Sequence, residues 1–128
     1  MWKDEKFTEI SAEKISVLLG WTAEGAEVKF ELSDAPPHAL LAGGTGSGKS
    51  NLIHVLIHGL LDRYSPEEIN LYLLDYKEGT EFNVYANNAA PQIKLVSIDS
   101  DAEYGITVLE HLNDELKRRA DILDLFGN

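Results

Sequence analysis

Between Ile15 and Leu32 the apolar residues fall on alternate positions, first Ile15, Val17 and Leu19, then Val28, Phe30 and Leu32. A period of two belongs to strands with one covered face. Glu24-Gly25 between the runs supplies a turn, so this stretch predicts a β-hairpin. Residues 1–14 ahead of it are charged and mixed, and read as a short helix or an arm. Behind it, Pro36 and Pro37 end the pattern, because proline cannot serve inside a central strand. His38-Ala39-Leu40-Leu41-Ala42, running into glycine, then predicts a short buried strand.

After Lys49 the period changes. Leu52, Leu56 and Leu60 recur every fourth residue with Ile53 and Ile57 beside them, the face of a helix that ends near Tyr64. Ser65-Pro66-Glu67-Glu68 follows, with Ser65 as N-cap, Pro66 at the first helical position and Glu68 closing a capping box, which predicts a single helical turn. Residues 69–77 (INLYLLDYK) scarcely alternate and predict a strand buried on both faces. Residues 79–91 read as loop with one helical turn, and 92–99 (QIKLVSID) as a third strand. A long amphipathic helix runs from Ser100 or Asp101 to Phe126, with Leu109, Leu112, Leu116 and Leu123 on one face and Gly127 suited to its C-terminal cap. Buried strands alternating with helices predict an α/β fold with a largely parallel sheet.

The 128 residues suit one domain, and the absence of cysteine excludes disulfides and thiolate metal sites. No apolar run approaches the ~20 residues that cross a bilayer, and the polar start is no signal peptide, so the expected location is cytoplasmic. Charge alters the picture. With 22 acidic and 11 basic residues the net charge is −11, whereas nucleic-acid binders usually present a basic face. Lys117-Arg118-Arg119 is a small basic cluster, but Asp114, Glu115 and Asp121 on the same helix make it a salt-bridged, solvated face. His54 and His58 sit one helical turn apart; with no glutamate between them in the metalloprotease pattern, they read as packing residues.

The chemistry lies in Gly43-Gly44-Thr45-Gly46-Ser47-Gly48-Lys49-Ser50, which matches G-x-x-x-x-G-K-[ST] between a predicted strand and a predicted helix. Glycines let the backbone approach phosphate oxygens with no Cβ in the way. Successive N–H groups, continuing to Asn51, and the positive helix end face the anion. Lys49 then reaches the β- and γ-phosphates as the catalytic cation, and the Ser50 hydroxyl is a magnesium ligand. The expected ligands are thus ATP and Mg²⁺. Asp75, closing an apolar strand, is a second candidate metal carboxylate, although Tyr76 rather than a catalytic carboxylate follows it.

The loop with its strand, residues 37–57, resembles the FtsK/SpoIIIE motor ATPases. So do the next strand, ending Asp75-Tyr76-Lys77, and the helix over 112–128 with its acidic residue followed by a basic pair. The resemblance covers roughly residues 20–128. It implies a P-loop NTPase of the RecA/FtsK type, a three-layer sandwich preceded by the hairpin, with 15–128 as a partial ATPase domain after an arm at 1–14. It also implies ATP hydrolysis coupled to double-stranded DNA translocation by a homo-hexameric ring, in a full-length protein that is membrane-associated in some members. Chromosome pumps usually carry proline where Tyr76 stands. An aromatic there also resembles the EccC/EssC ATPases of type VII secretion, whose cargo is protein. In the family the Walker B Asp-Glu pair lies on a later strand, after the last helix. By that reading Asp75 is not the Walker B aspartate, and this chain lacks the general base, sensor and arginine finger. Alone it binds DNA weakly or not at all and hydrolyses ATP poorly. A third reading is a nucleotide-binding module without catalysis.

Overall fold

The computed structural model describes Phe7 and residues 9–76, 81–87, 90–97 and 102–126. They fall into two units, one drawn from Met1–Tyr72 and Asn88–Lys94, the other from Leu73–Asn87 and Leu95–Asn128.

The hairpin forms as its alternation predicts. Strands β1 (Lys14–Trp21) and β2 (Glu27–Ser33) pair antiparallel with Ile15 opposite Leu32 and Val17 opposite Phe30. Directly opposed residues share a face, so the predicted apolar positions meet across the ladder. The turn is closed by Thr22 N–H to Ala26 O at 2.8 Å, Gly25 N–H to Thr22 O at 3.0 Å, and Ala26 N–H to the Thr22 hydroxyl at 3.2 Å. Gly25 takes φ 87°, a left-handed conformation in which a Cβ is strained. One detail departs from strict alternation. A bulge between Leu18 and Gly20 shifts the register, so Leu19 turns toward solvent while Val17, 2% exposed, stays inside.

Helix α1 (Lys49–Arg63) packs on β1. Contact is close at Gly59, where an added Cβ would overlap Val17 Cγ1 and stand 3.4 Å from both Val17 Cβ and Cγ2. The last four carbonyls of a helix have no partner inside it. Here each receives a donor: Tyr64 N–H bonds Leu60 O, the Gln92 side-chain amide bonds Leu61 O, Phe7 N–H bonds Asp62 O and Glu9 N–H bonds Arg63 O. Gln92 also donates to Tyr64 O at 2.8 Å, and the buried Tyr64 hydroxyl accepts Ser16 N–H at 2.8 Å. One end of α1 is thereby tied to the arm, to β1 and to Gln92.

The turn after α1 is present, with Glu68 and Ile69 N–H both bonding Ser65 O, but the capping box is not. The Glu68 carboxylate instead accepts Ser11 N–H at 2.8 Å and the Ser11 hydroxyl at 2.9 Å. Those two bonds, the backbone one first, hold its pKa below the usual carboxylate value. The arm supplies a donor that local sequence cannot reveal.

The predicted strand at 38–42 is not one. Residues 34–48 carry no strand, Leu40 is 94% exposed and Leu41 is exposed as well. An apolar run becomes a strand only when a ladder partner lies beside it, and among the described residues none pairs with this one. The second sheet holds β3 (Leu71–Leu74) and β4 (Ile93–Ser97). Leu71 N–H bonds Gln92 O and Asp75 N–H bonds Ser97 O, so both chains advance together and the pair is parallel. β3 is shorter than predicted and only Leu73 is buried, its neighbours being half-buried.

Between these strands α2 (Asn83–Asn87) is the predicted single turn, with Tyr85 buried and its ring 6.4 Å from that of Phe82. Helix α3 (Ala102–Leu125) spans the predicted stretch; Ser100, Asp101 and Gly127 lie outside the described residues. Its apolar stripe is covered only in part. Gly105 and Val108 are buried, Leu112 is half-buried, and Leu109, Leu116 and Leu123 are exposed. Helical periodicity marks a face able to be covered, and the described residues cover only its first turns.

Candidate nucleotide site

The glycine loop folds as a tight reversal ahead of α1. Ser47 N–H bonds Gly44 O at 3.1 Å, while Gly46 and Gly48 take φ 81° and 88°, conformations a side chain resists. Gly43 is confined differently: a Cβ there would overlap the Ser47 hydroxyl and lie 3.2 Å from Ser47 Cβ. The loop has closed on itself, and a side chain at its entrance would have to displace Ser47.

Helix α1 begins at Lys49 with Gly48 as its N-cap, and its first internal bond runs from Leu52 N–H to Gly48 O at 2.9 Å. The N–H groups of Lys49, Ser50 and Asn51 precede that bond. A helix start usually satisfies such donors with a Ser, Thr or Asp cap, or balances its dipole with an acidic first turn. This one has neither a side-chain cap bond nor an acidic residue in its first turn. Gly43 to Lys49 are exposed and Ser50 is half-buried. Donors, positive helix end, a cation at Lys49 and a hydroxyl at Ser50 are therefore accessible together, an arrangement that fits a nucleotide's phosphates and a bound magnesium. Thr45 completes the turn, so Gly43 through Asn51 form one continuous segment.

Asp75 belongs to the other unit. It follows β3 directly, is half-buried, and its Oδ2 atom is shielded from solvent. Lys77 of the Asp-x-Lys pattern lies outside the described residues. Among the described residues no three His, Asp or Glu side chains converge where a metal ion would sit, His54 and His58 included.

The sequence model of the FtsK/SpoIIIE family matches residues 2–128. The chain belongs to the FtsK/SpoIIIE family. Its curated relatives include the DNA translocase FtsK of Staphylococcus aureus, 37% identical over 93% of this chain and 14% of its own length. They also include the ESX-4 secretion system protein EccC4 of Mycobacterium tuberculosis, 31% identical over 91% of this chain and 10% of its own, and YukB of Bacillus subtilis at 30%. The chain thus spans about a tenth of the length of such relatives. In structure it is similar to the cytoplasmic domain of the type VII secretion ATPase EccC from Thermomonospora curvata, with a TM-score of 0.67, 29% identity, and coverage of 88% of this chain and 14% of that one. That likeness gives the α/β fold of a P-loop NTPase, as predicted, and the FtsK/SpoIIIE assignment accounts for the glycine loop on α1. No helix among the described residues is long and apolar enough to cross a membrane.

On α3 the basic cluster is internally compensated. The Glu115 carboxylate accepts bonds from Arg118 Nε and Nη2 at 2.7 Å and from Arg119 Nε at 2.8 Å. The two guanidiniums, Arg118 first, bring its pKa down to about 2. A depressed pKa contributes stability above the unfolded value of about 4.3 and loses it as pH falls toward the folded one. Carbon-13 NMR should therefore show Glu115 ionised down to about pH 2, and R118A/R119A should return its midpoint toward the ordinary carboxylate value. An unchanged midpoint in that double variant contradicts the pairing.

Sequence reasoning missed Gly59, Gly105 and Gln92. An isolated glycine inside a helical pattern is a legible signal of close packing, which both glycines carried. Gln92 carried none, because its partners are backbone carbonyls distant in sequence.

Proposed function

We propose that the chain is the ATP-binding part of a ring-forming motor ATPase that couples ATP hydrolysis to translocation of double-stranded DNA. The observation that carries this reading is the glycine-capped start of α1 at Lys49, open to an anion, in a chain of the FtsK/SpoIIIE family. In it the loop N–H groups from Gly43 to Asn51 bind the phosphates, and Lys49 stabilises charge spread over the transferred phosphoryl oxygens. Ser50 holds the magnesium, which supplies further charge neutralisation. The water-activating base and an arginine come from a further part of the protein or from a neighbouring subunit; Asp75 is not the water-activating residue. Similarity to the staphylococcal translocase supports DNA as cargo.

Two observations favour a second cargo. Tyr76 places an aromatic inside Asp-x-Lys, as in the secretion branch, and the net charge of −11 suits a protein substrate better than DNA. A steady-state phosphate-release assay tests the division of labour. The chain should bind ATP yet show no release that depends on Lys49; turnover abolished by Lys49→Ala would mean that the present residues suffice and would restore Asp75 as a metal carboxylate.

A further inference from the structure

We propose that the arm and the glycine loop are coupled sites: docking of the arm on the far end of α1 strengthens nucleotide binding at the near end, and bound nucleotide tightens the arm. All the residues involved lie in the first unit. Phe7 N–H bonds Asp62 O at 3.2 Å and Glu9 N–H bonds Arg63 O at 3.1 Å, so the arm supplies donors for the last two carbonyls of α1. Just beyond the helix, Ser11 clasps Glu68. Its N–H and hydroxyl donate to Glu68 Oε2 at 2.8 and 2.9 Å, and the hydroxyl also donates to Glu68 O at 2.8 Å.

Apolar burial contributes little to this strap. Phe7, Glu9, Ile10, Ala12 and Glu13 are exposed, Ile10 to 70%, and Ser11 is half-buried. Phe7 also takes φ 69°, a left-handed conformation that a side chain resists. A segment held by exposed hydrogen bonds with few buried apolar contacts opens at low cost. Docked and released arms are therefore two accessible states of the unit, and they differ in whether the Asp62 and Arg63 carbonyls have a protein donor.

Helix α1 connects the two sites. Ile57 is its buried residue, so its order depends on its ends as well as on packing. A helix forms cooperatively, and order imposed at one end favours the other. Both sites also complement one dipole, phosphates at the positive end by Lys49 and the N–H groups of the arm at the negative end by Arg63. Each occupant lowers the ordering cost that the other meets, with no contact between them. The inference rests on the reading of the glycine loop as a nucleotide site, and adds to it a control point at Phe7, Glu9 and Ser11.

The test measures ATP affinity, with Mg²⁺ present, and amide exchange at Phe7 and Glu9 in the whole chain. Ser11→Ala combined with Glu68→Ala removes all three clasp bonds. Glu9→Pro removes one donor to α1 and leaves the clasp alone. The helix separates these changes from the loop by about 20 Å, too far for direct contact with nucleotide. Each should weaken ATP binding about fivefold, the low end of usual coupling between sites. Coupling is reciprocal, so saturating ATP should slow exchange at Phe7 and Glu9 by a similar factor in the wild type and not in Lys49→Ala. Unchanged ATP affinity in both arm variants, even with lowered melting temperatures, makes the arm a structural brace only and overturns the proposal. Exchange at Phe7 and Glu9 that is indifferent to ATP overturns it equally, and either result leaves the nucleotide site standing. A wild type that binds no ATP overturns the nucleotide reading, and this inference with it.

Discussion

Gly59→Val should be the most damaging single substitution in the first unit, lowering stability by about 3 kcal/mol and the melting temperature by roughly 10 °C. The added Cβ falls on Val17 Cγ1, and Val17 cannot retreat. It is buried on β1, its branched Cβ restricts it to few rotamers, and the ladder to Phe30 fixes its backbone. Relief must come from moving α1 away from the hairpin. Gly59→Ala separates the two opposing effects, because alanine gains about 1 kcal/mol of helix propensity while meeting the same methyl group. Combined with Val17→Ala it should be milder than the sum of the single changes, as expected for residues in contact. Additive melting-temperature losses contradict the packing described.

Lys49→Ala should remove the thermal stabilisation that ATP and Mg²⁺ give the wild type. A ligand that binds only the folded state stabilises it by about 2.7 kcal/mol at a hundredfold excess over Kd, on the order of 10 °C for a chain this size. Lys49 is exposed at the first position of α1, so its removal should leave the nucleotide-free melting temperature nearly unchanged. The two halves of this result matter together. A variant that melts early without nucleotide would indicate a structural role, whereas an equal upshift in wild type and variant would mean that the phosphates are held elsewhere.

What could be read from sequence was what depends on near neighbours. Alternation over Ile15–Leu19 and Val28–Leu32, with Glu24-Gly25 between, contained the hairpin, because strand period and turn chemistry are both local. The glycine loop was legible for the same reason: Gly46 and Gly48 at left-handed φ and a helix starting at Lys49 are demands of eight consecutive residues. Leu40 and Leu41 show the limit. Their apolarity says that they can be buried, but a ladder partner is not encoded in the run itself. The same holds for Leu109, Leu116 and Leu123 on α3, whose periodicity marks a helix with an apolar face but does not say what covers that face. Glu68 bonding Ser11 rather than closing a capping box, and Gln92 reaching the carbonyls of Leu61 and Tyr64, depend on where distant segments come to rest. Asp75 remained ambiguous because a strand-end aspartate has the same local pattern whether or not it holds metal.

The central claim is that the loop from Gly43 to Ser50 grips a nucleotide by its phosphates. Calorimetric titration of ATP into the chain with Mg²⁺ present tests it most directly. One saturable site per chain, displaced by ADP and absent in Lys49→Ala, is the predicted result. No saturation at ~1 mM nucleotide, or the same binding curve for Lys49→Ala, would contradict the account.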